Sequence, residues 1–499
     1  MSARSILARS LVAALALLPL VPESAHAGQT NAQPLPLMTP APMPTASGTP
    51  MPYPAYGSPA PDITQQQPHA GVPATVTLAQ AIDIAVAQSP AFASQRAQYR
   101  AIAAKYGAEK GALFPNISGS ASITREYGSS GTTTGSSSSS GSGSSSSGTN
   151  AKGYFTTETA RATLTQLIFD GGRVIAGIHS SKEADIAGRD TLVRQLQTLA
   201  FDVATAYYGV LQAKASVDAD AALVRQFETQ ENVVAAQIRT GAAARSDLAA
   251  AQFQTAQARG ALITAQGAEI GAESTFATTL GLDADTAVTP QSLGSNPAQI
   301  KALGYQSSLT EALQLRPDYL AAVHSVASSD ANLRFAKLAR FPQVDLNASS
   351  GTSRTLLSTP NVMTPFSGTG SIGATITVPI YDQGLTNYNV AVAASQDDQA
   401  KAALLQSRLT VQSDVRGALA NLISARASLV QAKAELQSAT VNSQATSARY
   451  RVGAATITDI VTANASLATA ERDEINALYN ERLAEERYTY ALGASDLKL

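Results

Sequence analysis

Aspartates beside glycines are the residues whose type and spacing suggest a defined chemistry in this sequence. The phrase LIFDGG carries Asp170, and PIYDQG carries Asp382, 212 positions later. The same interval separates Asp247 in RTGAAARSD from Asp459 in RVGAATITD. A carboxylate at the beginning of a helix accepts backbone N–H groups and is stabilised by the positive end of the helix dipole. Capping of helix starts is therefore a chemistry available to all four aspartates.

The sequence contains few of the residues that catalysis or metal binding requires. The chain has no cysteine, which excludes disulfides, thiolate metal ligands and a cysteine nucleophile. His69, His179 and His324 are scattered, and no HExxH motif, nucleophile elbow or phosphate-binding loop occurs. We interpret these histidines as solvent-facing and expect no enzymatic activity, no cofactor and no metal site. The net charge of −2, without a basic run, argues against nucleic acid as a partner.

The fixed interval of 212 residues indicates an internal duplication. Gly241 and Gly453 repeat with this separation, and so do Gly281 and Gly493. The prolines of ALFPNI and ARFPQV are 227 positions apart, and a Ser/Gly tract at 128–150 accounts for the additional residues of the first half. This tract predicts a flexible surface loop. We predict a first repeat over 76–295, a connection over 296–308 and a second repeat over 309–499.

The amino terminus has the features of a secretory signal peptide. Arg4 and Arg9 precede a short apolar run, and Ala25-His26-Ala27 forms a small-x-small cleavage site. We predict a signal peptide over 1–27, followed by a Pro-rich disordered extension over 28–75. A retained membrane anchor is the alternative, although the run is too short to span a bilayer. We therefore expect an exported protein whose membrane crossing is made by β-strands.

A heptad pattern predicts one helix of about 65 residues, roughly 100 Å long, in each half. Seven of the eight seam positions stay apolar after the shift of 212 residues, with Arg408 as the exception. The first seam consists of Leu192, Leu196, Leu199, Val203, Ala206, Val210, Ala213 and Val217. Shorter helices that would stack end to end beside the long ones are predicted over 78–112, 247–280, 309–338 and 459–492.

Alternating apolar and polar residues predict two β-hairpins, with strands of about ten residues each. NISGSASITRE and ARATLTQLIF form the first hairpin, and VDLNASS and SIGATITVPI the second. Two environments fit this pattern, an outer-membrane barrel and a half-buried sheet of a soluble domain. Strands of this length, apolar on one side, match the barrel. Because four strands are too few to close one, the barrel would be shared among subunits.

The order and common spacing of these motifs resemble those of the TolC-like outer membrane efflux proteins. The resemblance covers nearly all of 76–499 and includes the duplicated halves, LIFDGG and PIYDQG, and the tip motifs TGAAARSDL and VGAATITDI. It implies a mainly α protein with a β-barrel portion: a homotrimeric 12-stranded outer-membrane β-barrel, continued by a long periplasmic α-helical barrel. It also implies a passive exit duct that docks with a periplasmic adaptor and an inner-membrane pump.

The resemblance further implies roles for the residues at the helical tips. Asp247 and Asp459 match the two tip aspartates of a periplasmic gate, and Tyr450 matches a gate tyrosine that can hydrogen-bond the first of them. A ring of such aspartates attracts cations, whereas simple helix caps are the alternative. For docking of the adaptor, the matching positions are Gly241, Val452 and Gly453.

Two tip positions depart from the pattern of this family. Ala455 stands where a gate-locking arginine would be, and Thr462 where a further aspartate would be. We expect the gate to be held differently, with Arg245 or Arg451 as candidates.

Asp170, Gly172, Asp382 and Gly384 are assigned a structural role, at the points where a strand turns into a long helix. The competing functional interpretation is an exported periplasmic coiled-coil adaptor or scaffold without a pore. Such a protein would also be exported and helical.

Overall fold

The computed structural model describes residues 73, 75–130, 151–241, 243–292, 302–358 and 361–494 of a single chain. These residues belong to one unit, Pro68–Leu499. The predicted signal peptide, the Pro-rich extension up to residue 72, most of the Ser/Gly loop and most of the inter-repeat connection lie outside the described residues.

Two helices of 67 residues dominate the described chain and confirm the heptad prediction. Both their first and their last residues differ by 212 positions, as the duplication requires. In the described residues the helices are α1 Leu78–Gln88, α2 Pro90–Gly111, α3 Arg173–Arg239, α4 Arg245–Thr279, α5 Tyr305–Leu315, α6 Pro317–Leu338, α7 Leu385–Arg451 and α8 Ile457–Leu492. Among them, none combines the length and apolarity that a membrane-spanning helix needs.

The prediction of single helices over 78–112 and 309–338 was wrong, because each segment is divided in two. Ser89 separates α1 from α2, and Arg316 separates α5 from α6; both adopt extended ψ angles, 118° and 117°. A proline follows each break. Because a proline ring excludes the α conformation from the preceding residue and lacks an N–H donor, Pro90 and Pro317 begin new helices.

Three of the four predicted hairpin strands are clearly longer than about ten residues, with 15, 19 and 16 residues, and the fourth has 11. The described strands are β1 Thr75–Val76, β2 Asn116–Ser130, β3 Ala151–Phe169, β4 Thr289–Pro290, β5 Gln343–Ser358, β6 Asn361–Met363 and β7 Ser367–Thr377. Pairing continues past the apolar residues into Ser-, Thr- and Gly-rich sequence, because backbone hydrogen bonds do not depend on side-chain polarity. The predicted disordered extension ends one residue too late, since Thr75 pairs with Thr289 in a small parallel ladder that the sequence did not indicate.

The long strands form one antiparallel sheet in the order β2-β3-β5-β7, with β6 pairing only the end of β5. β2 and β7 are its edges among the described strands. Residues alternate between two faces. One face carries Ile117, Ile123, Ile372 and Ile376, all exposed in the single chain, and the other is lined by serine and threonine.

The helices pack along the two long ones, and the core follows the predicted seam. The short helices α2, α4 and α6 contact α3, while α5, α6 and α8 contact α7. The largest buried cluster contains Val203 and Val210 of the first seam, together with Phe276 and Leu280 from the end of α4. A second cluster contains Val411, Val415, Ala418 and Leu422 of the equivalent seam.

Candidate functional site

Each strand-to-helix junction is held by one aspartate and one glycine. Asp170 accepts hydrogen bonds from the backbone N–H groups of Gly172 at 2.9 Å and Val174 at 2.5 Å. Asp382 accepts from Gly384 at 3.1 Å and Thr386 at 2.7 Å in the same way. These bonds satisfy donors that a helix start leaves without partners.

The backbone at both junctions lies in the left-handed region that favours glycine. Gly172 has a φ of 89° and Gly384 a φ of 84°. Hydrogen bonds from Thr386, foremost, and from Gly384 lower the pKa of Asp382. The carboxylate that holds this turn is therefore in its charged, accepting form at neutral pH.

A close packing contact explains why the first junction has two consecutive glycines. A Cβ atom at Gly171, whose φ is 71°, would lie 2.5 Å from the Cβ of Phe341. Phe341 belongs to the ARFPQV motif of the second repeat, so the two halves meet here. The equivalent position of the second repeat is Gln383, which keeps a φ of 58° without being glycine.

At the opposite end of the long helices, the chain turns back through two tight tips. Gly241 and Gly453, with φ angles of 77° and 74°, follow α3 and α7. Both are exposed, and the Val452 side chain is 79% exposed. All three residues singled out for adaptor docking are thus accessible in the single chain.

Both tip aspartates cap the helix that returns from the tip. Asp459 accepts from the backbone N–H and the hydroxyl of Thr456, both at 2.8 Å, and Thr456 accepts from the Asp459 N–H at 3.3 Å. Asp247 accepts from the N–H of Ala244 at 3.1 Å; because Ala244 has no side-chain oxygen, the Asp247 N–H donates instead to the Ala244 carbonyl oxygen, also at 3.1 Å. The two carboxylates therefore have structural partners within their own tip.

Tyr450 lies close to the aspartate of the other repeat. Burial raises the pKa of its hydroxyl, and the Asp247 carboxylate raises that pKa further. No hydrogen bond joins these two side chains within the described chain. On Asp459, the backbone hydrogen bond from Thr456 has the largest effect in lowering the pKa, and Arg449 acts in the same direction. Arg449 is therefore a further basic residue that acts on a tip aspartate, and the roles expected for Arg245 and Arg451 stay predictions.

A buried ion-pair network between the repeats was missed by sequence reasoning. The Arg316 side chain is 1% exposed and pairs with Asp318 at 2.6 Å and with Asp414 at 3.0 Å. Arg194 approaches Asp318 at 3.7 Å and donates to the carbonyl of Tyr490 at 3.0 Å. The signal that could have found it is the RPD triplet, because the equivalent triplet of the first repeat is the neutral SPA.

The histidines gather no metal site in the described part of the chain. His324 Nδ1 lies 2.8 Å from Glu183 Oε2 and is half-buried, so the prediction of a solvent-facing side chain was wrong for this residue. No group of three or more potential ligands of the His, Cys, Asp and Glu types occurs among the residues described. His69 lies outside that part of the chain.

Comparison with known proteins assigns the architecture. The family model described as outer membrane efflux protein matches residues 81–282 and 308–494, which together make up most of the chain. The chain belongs to the outer membrane efflux protein family. This efflux protein lies in the outer membrane, extends into the periplasm and serves as an exit channel. The alternative of a pore-free periplasmic scaffold is thereby set aside.

Named relatives and solved structures agree with this assignment. The protein is 24% identical to Protein CyaE of Bordetella pertussis over 422 residues, 85% of this chain and 84% of the relative. It is 25% identical to Outer membrane efflux protein BepC of Brucella suis over 338 residues, 66% of this chain and 72% of the relative. The CmeC outer membrane channel of Campylobacter jejuni has the same fold, with a TM-score of 0.69, 18% identity, and coverage of 83% of this chain and 85% of that one.

Proposed function

We propose that three copies of this chain form one passive exit duct for an adaptor and an inner-membrane pump. The observation that carries the proposal is the open sheet β2-β3-β5-β7, whose edge strands are unpaired within the described residues. Unpaired backbone groups are not tolerated in the hydrocarbon of a bilayer, so a spanning sheet must close. Pairing β7 of one copy with β2 of the next closes it with twelve strands from three copies.

The internal repeat supports this mode of closure. Within one chain, Phe341 of the second repeat packs on Gly171 of the first. The equivalent pair is Phe114 and Gln383, and these residues lie at opposite free edges of the sheet. Phe114 is 65% exposed in the single chain. A neighbouring copy would bring the two together and repeat the contact made inside each chain.

The helices also expose apolar residues that a neighbouring copy would cover. On α7, Tyr388, Leu409, Ile423 and Val430 are exposed and fall at multiples of seven residues from one another. On α4, Ile263 and Ile270 repeat the same interval. Such heptad rows are typical of helix-to-helix seams. Joining them would continue the β-barrel as a helical tube.

The tips would form the periplasmic mouth of this tube. Asp247, Asp459 and Tyr450 would line a gate, and capping of a helix leaves carboxylate oxygens able to attract cations. Gly241, Val452 and Gly453 would contact the adaptor. The duct has neither enzymatic activity nor an energy source of its own, so transport is driven by the pump. Lipid contacts would be made by the isoleucine face of the sheet.

The test combines oligomeric state with conductance. Purified protein in detergent should have the mass of three chains, and single channels in planar bilayers should conduct weakly. Tyr450→Phe combined with Asp459→Ala should raise the conductance severalfold, because the gate loses its hydrogen-bonding and charged groups. Asp285→Ala, an exposed aspartate beyond the end of α4, is the matched control and should change nothing. A stable monomer, or equal conductance of all variants, would contradict the proposal.

A further inference from the structure

The polar face of the sheet carries a single charge near the middle of its height. Within four residues of the Arg161 row along each strand, this face contains serine, threonine, glycine and asparagine, apart from Arg161 on β3. In the central row, Arg161 lies opposite Ser120 on β2 and Gly351 on β5, and Gly351 in turn pairs with Thr369 on β7. Arg161 is therefore flanked by a serine on one side and a glycine on the other.

The neighbours of Arg161 leave its guanidinium free to project from the sheet. A Cβ atom at Gly351 would lie 2.8 Å from the carbonyl oxygen of Ala160 and 3.3 Å from the Arg161 Cβ, so no larger residue fits beside it. Arg161 is exposed, and no acidic side chain pairs with it in the part of the chain that the structure describes.

The opposite face carries two arginines in the described strands, and each has a partner. The Arg125 guanidinium on β2 lies over the Tyr154 ring, 4.5 Å from its centroid. Arg354 is paired with Glu158 on the neighbouring strand, on the face that also carries Ile123 and Ile372. A charge that faces lipid is expensive unless it is paired. An arginine without an acidic partner, among hydroxyl groups, is instead typical of a wall that faces water.

We infer that Arg161 from each copy forms a cationic ring in the lumen of the β-barrel, which attracts the carboxylate, sulfonate or phosphate groups of exported solutes. The inference rests on the proposed trimer, in which the serine and threonine face lines the lumen. Rings of arginine are a known means of selecting anions in pores. Anionic cargo would be favoured in the barrel, whereas the aspartates of the tips attract cations.

Neighbouring charges do not cancel this ring at physiological salt. The nearest charged residues on the same face of the described strands are Asp345 and Glu126, each six residues along a strand from the row of Arg161. Six residues correspond to about 20 Å. The Debye length is about 8 Å at 0.15 M salt, so Arg161 dominates the potential at its own level.

The absence of native cysteine allows this potential to be measured directly. Thr163→Cys places a thiol on the same face, two residues and about 7 Å from Arg161. The rates at which this thiol reacts with two methanethiosulfonate reagents are compared in the detergent-solubilised trimer. One reagent carries an anionic sulfonatoethyl group and the other a cationic trimethylammonium-ethyl group. Adding Arg161→Gln should lower the anionic-to-cationic rate ratio about threefold at 0.15 M salt and about tenfold at 0.01 M. Arg161→Lys should preserve the ratio.

Two controls distinguish an error in the proposed arginine ring from an error in the proposed duct. Ala162→Cys lies on the opposite face and should be protected from both reagents by lipid or detergent. If Ala162→Cys reacts faster than Thr163→Cys, the lumen assignment and the proposed duct are wrong. If Thr163→Cys reacts but Arg161→Gln leaves the ratio unchanged, only the ring is overturned. If Arg161→Gln fails to assemble, the test uses the Thr163→Cys variant by itself. An anionic-to-cationic rate ratio that does not change with salt concentration in this variant would refute the ring.

Discussion

Replacement of Arg316 by methionine should destabilise the protein more than replacement of any exposed arginine. The guanidinium of Arg316 donates to Asp318 at 2.6 Å, to Asp414 at 3.0 Å and to the carbonyl of Ala491 at 3.4 Å. It thereby ties the break between α5 and α6 to the middle of α7 and the end of α8. Methionine fills much of the same volume, but Asp414 loses this cation and Asp318 keeps only the more distant Arg194, at 3.7 Å.

The expected loss of stability follows from how far the side chains of Arg316, Asp318 and Asp414 are buried. Removing one member of a buried ion pair typically costs about 3–5 kcal/mol. Because the side chains of Asp318 and Asp414 are 33% and 45% exposed, water compensates part of this loss, and we expect the lower end, about 3 kcal/mol. Arg316→Lys keeps the charge but not the planar fork, so its effect should be intermediate.

The pH dependence of this loss has a definite sign. Burial acts to raise the pKa of Asp318, but hydrogen bonds and charge from Arg316 hold that pKa below its ordinary value. The stability that the ionised Asp318 contributes is therefore present above the unfolded pKa of about 3.9. It is lost as the pH falls through the pKa of Asp318 in the folded protein. Arg316 is the main group that lowers the pKa of Asp318, so the deficit of Arg316→Met should shrink as the pH falls below about 4.

Far-ultraviolet circular dichroism of the solubilised protein in guanidinium measures the effect as an unfolding rate. A loss of about 3 kcal/mol corresponds to unfolding about 100-fold faster if the network is absent from the transition state. Arg334→Met is the matched control, because Arg334 and Asp330 form an exposed pair on α6, with side chains 71% and 47% exposed. Such pairs contribute about 0.3–0.5 kcal/mol. Equal unfolding rates of the two variants would refute the role given to Arg316.

Three further outcomes are expected. Gly281→Ala should destabilise the protein by about 2 kcal/mol or more in denaturant titrations, since φ is 82° and the new Cβ would lie 2.7 Å from the carbonyl oxygen of Gln88. Gly417→Ala, in the middle of α7 with no atom within 4 Å of the new Cβ, should stabilise it by about 0.5–1 kcal/mol. Asp382→Asn should lower the thermal unfolding midpoint of the protein, because the junction loses a charged acceptor; an unchanged midpoint would argue against that role.

Local sequence patterns determined much of this protein. The interval of 212 residues predicted two equivalent long helices, and α3 and α7 begin and end with that interval. Heptad and alternating patterns depend only on neighbouring residues, which is why helices and strands could be placed. The breaks before Pro90 and Pro317 could also have been found, because a proline restricts the residue that precedes it.

Only the tertiary structure decided the contacts between distant residues. Arg316 and Asp414 are 98 positions apart, and nothing in the sequence near either one specifies the other. The same holds for Phe341 on Gly171 and for the ladder between Thr75 and Thr289. Strand length was also underestimated, because backbone pairing extends wherever a partner strand is available. These features depend on which surfaces contact each other in the folded protein. Local sequence periodicity carries no information about such contacts.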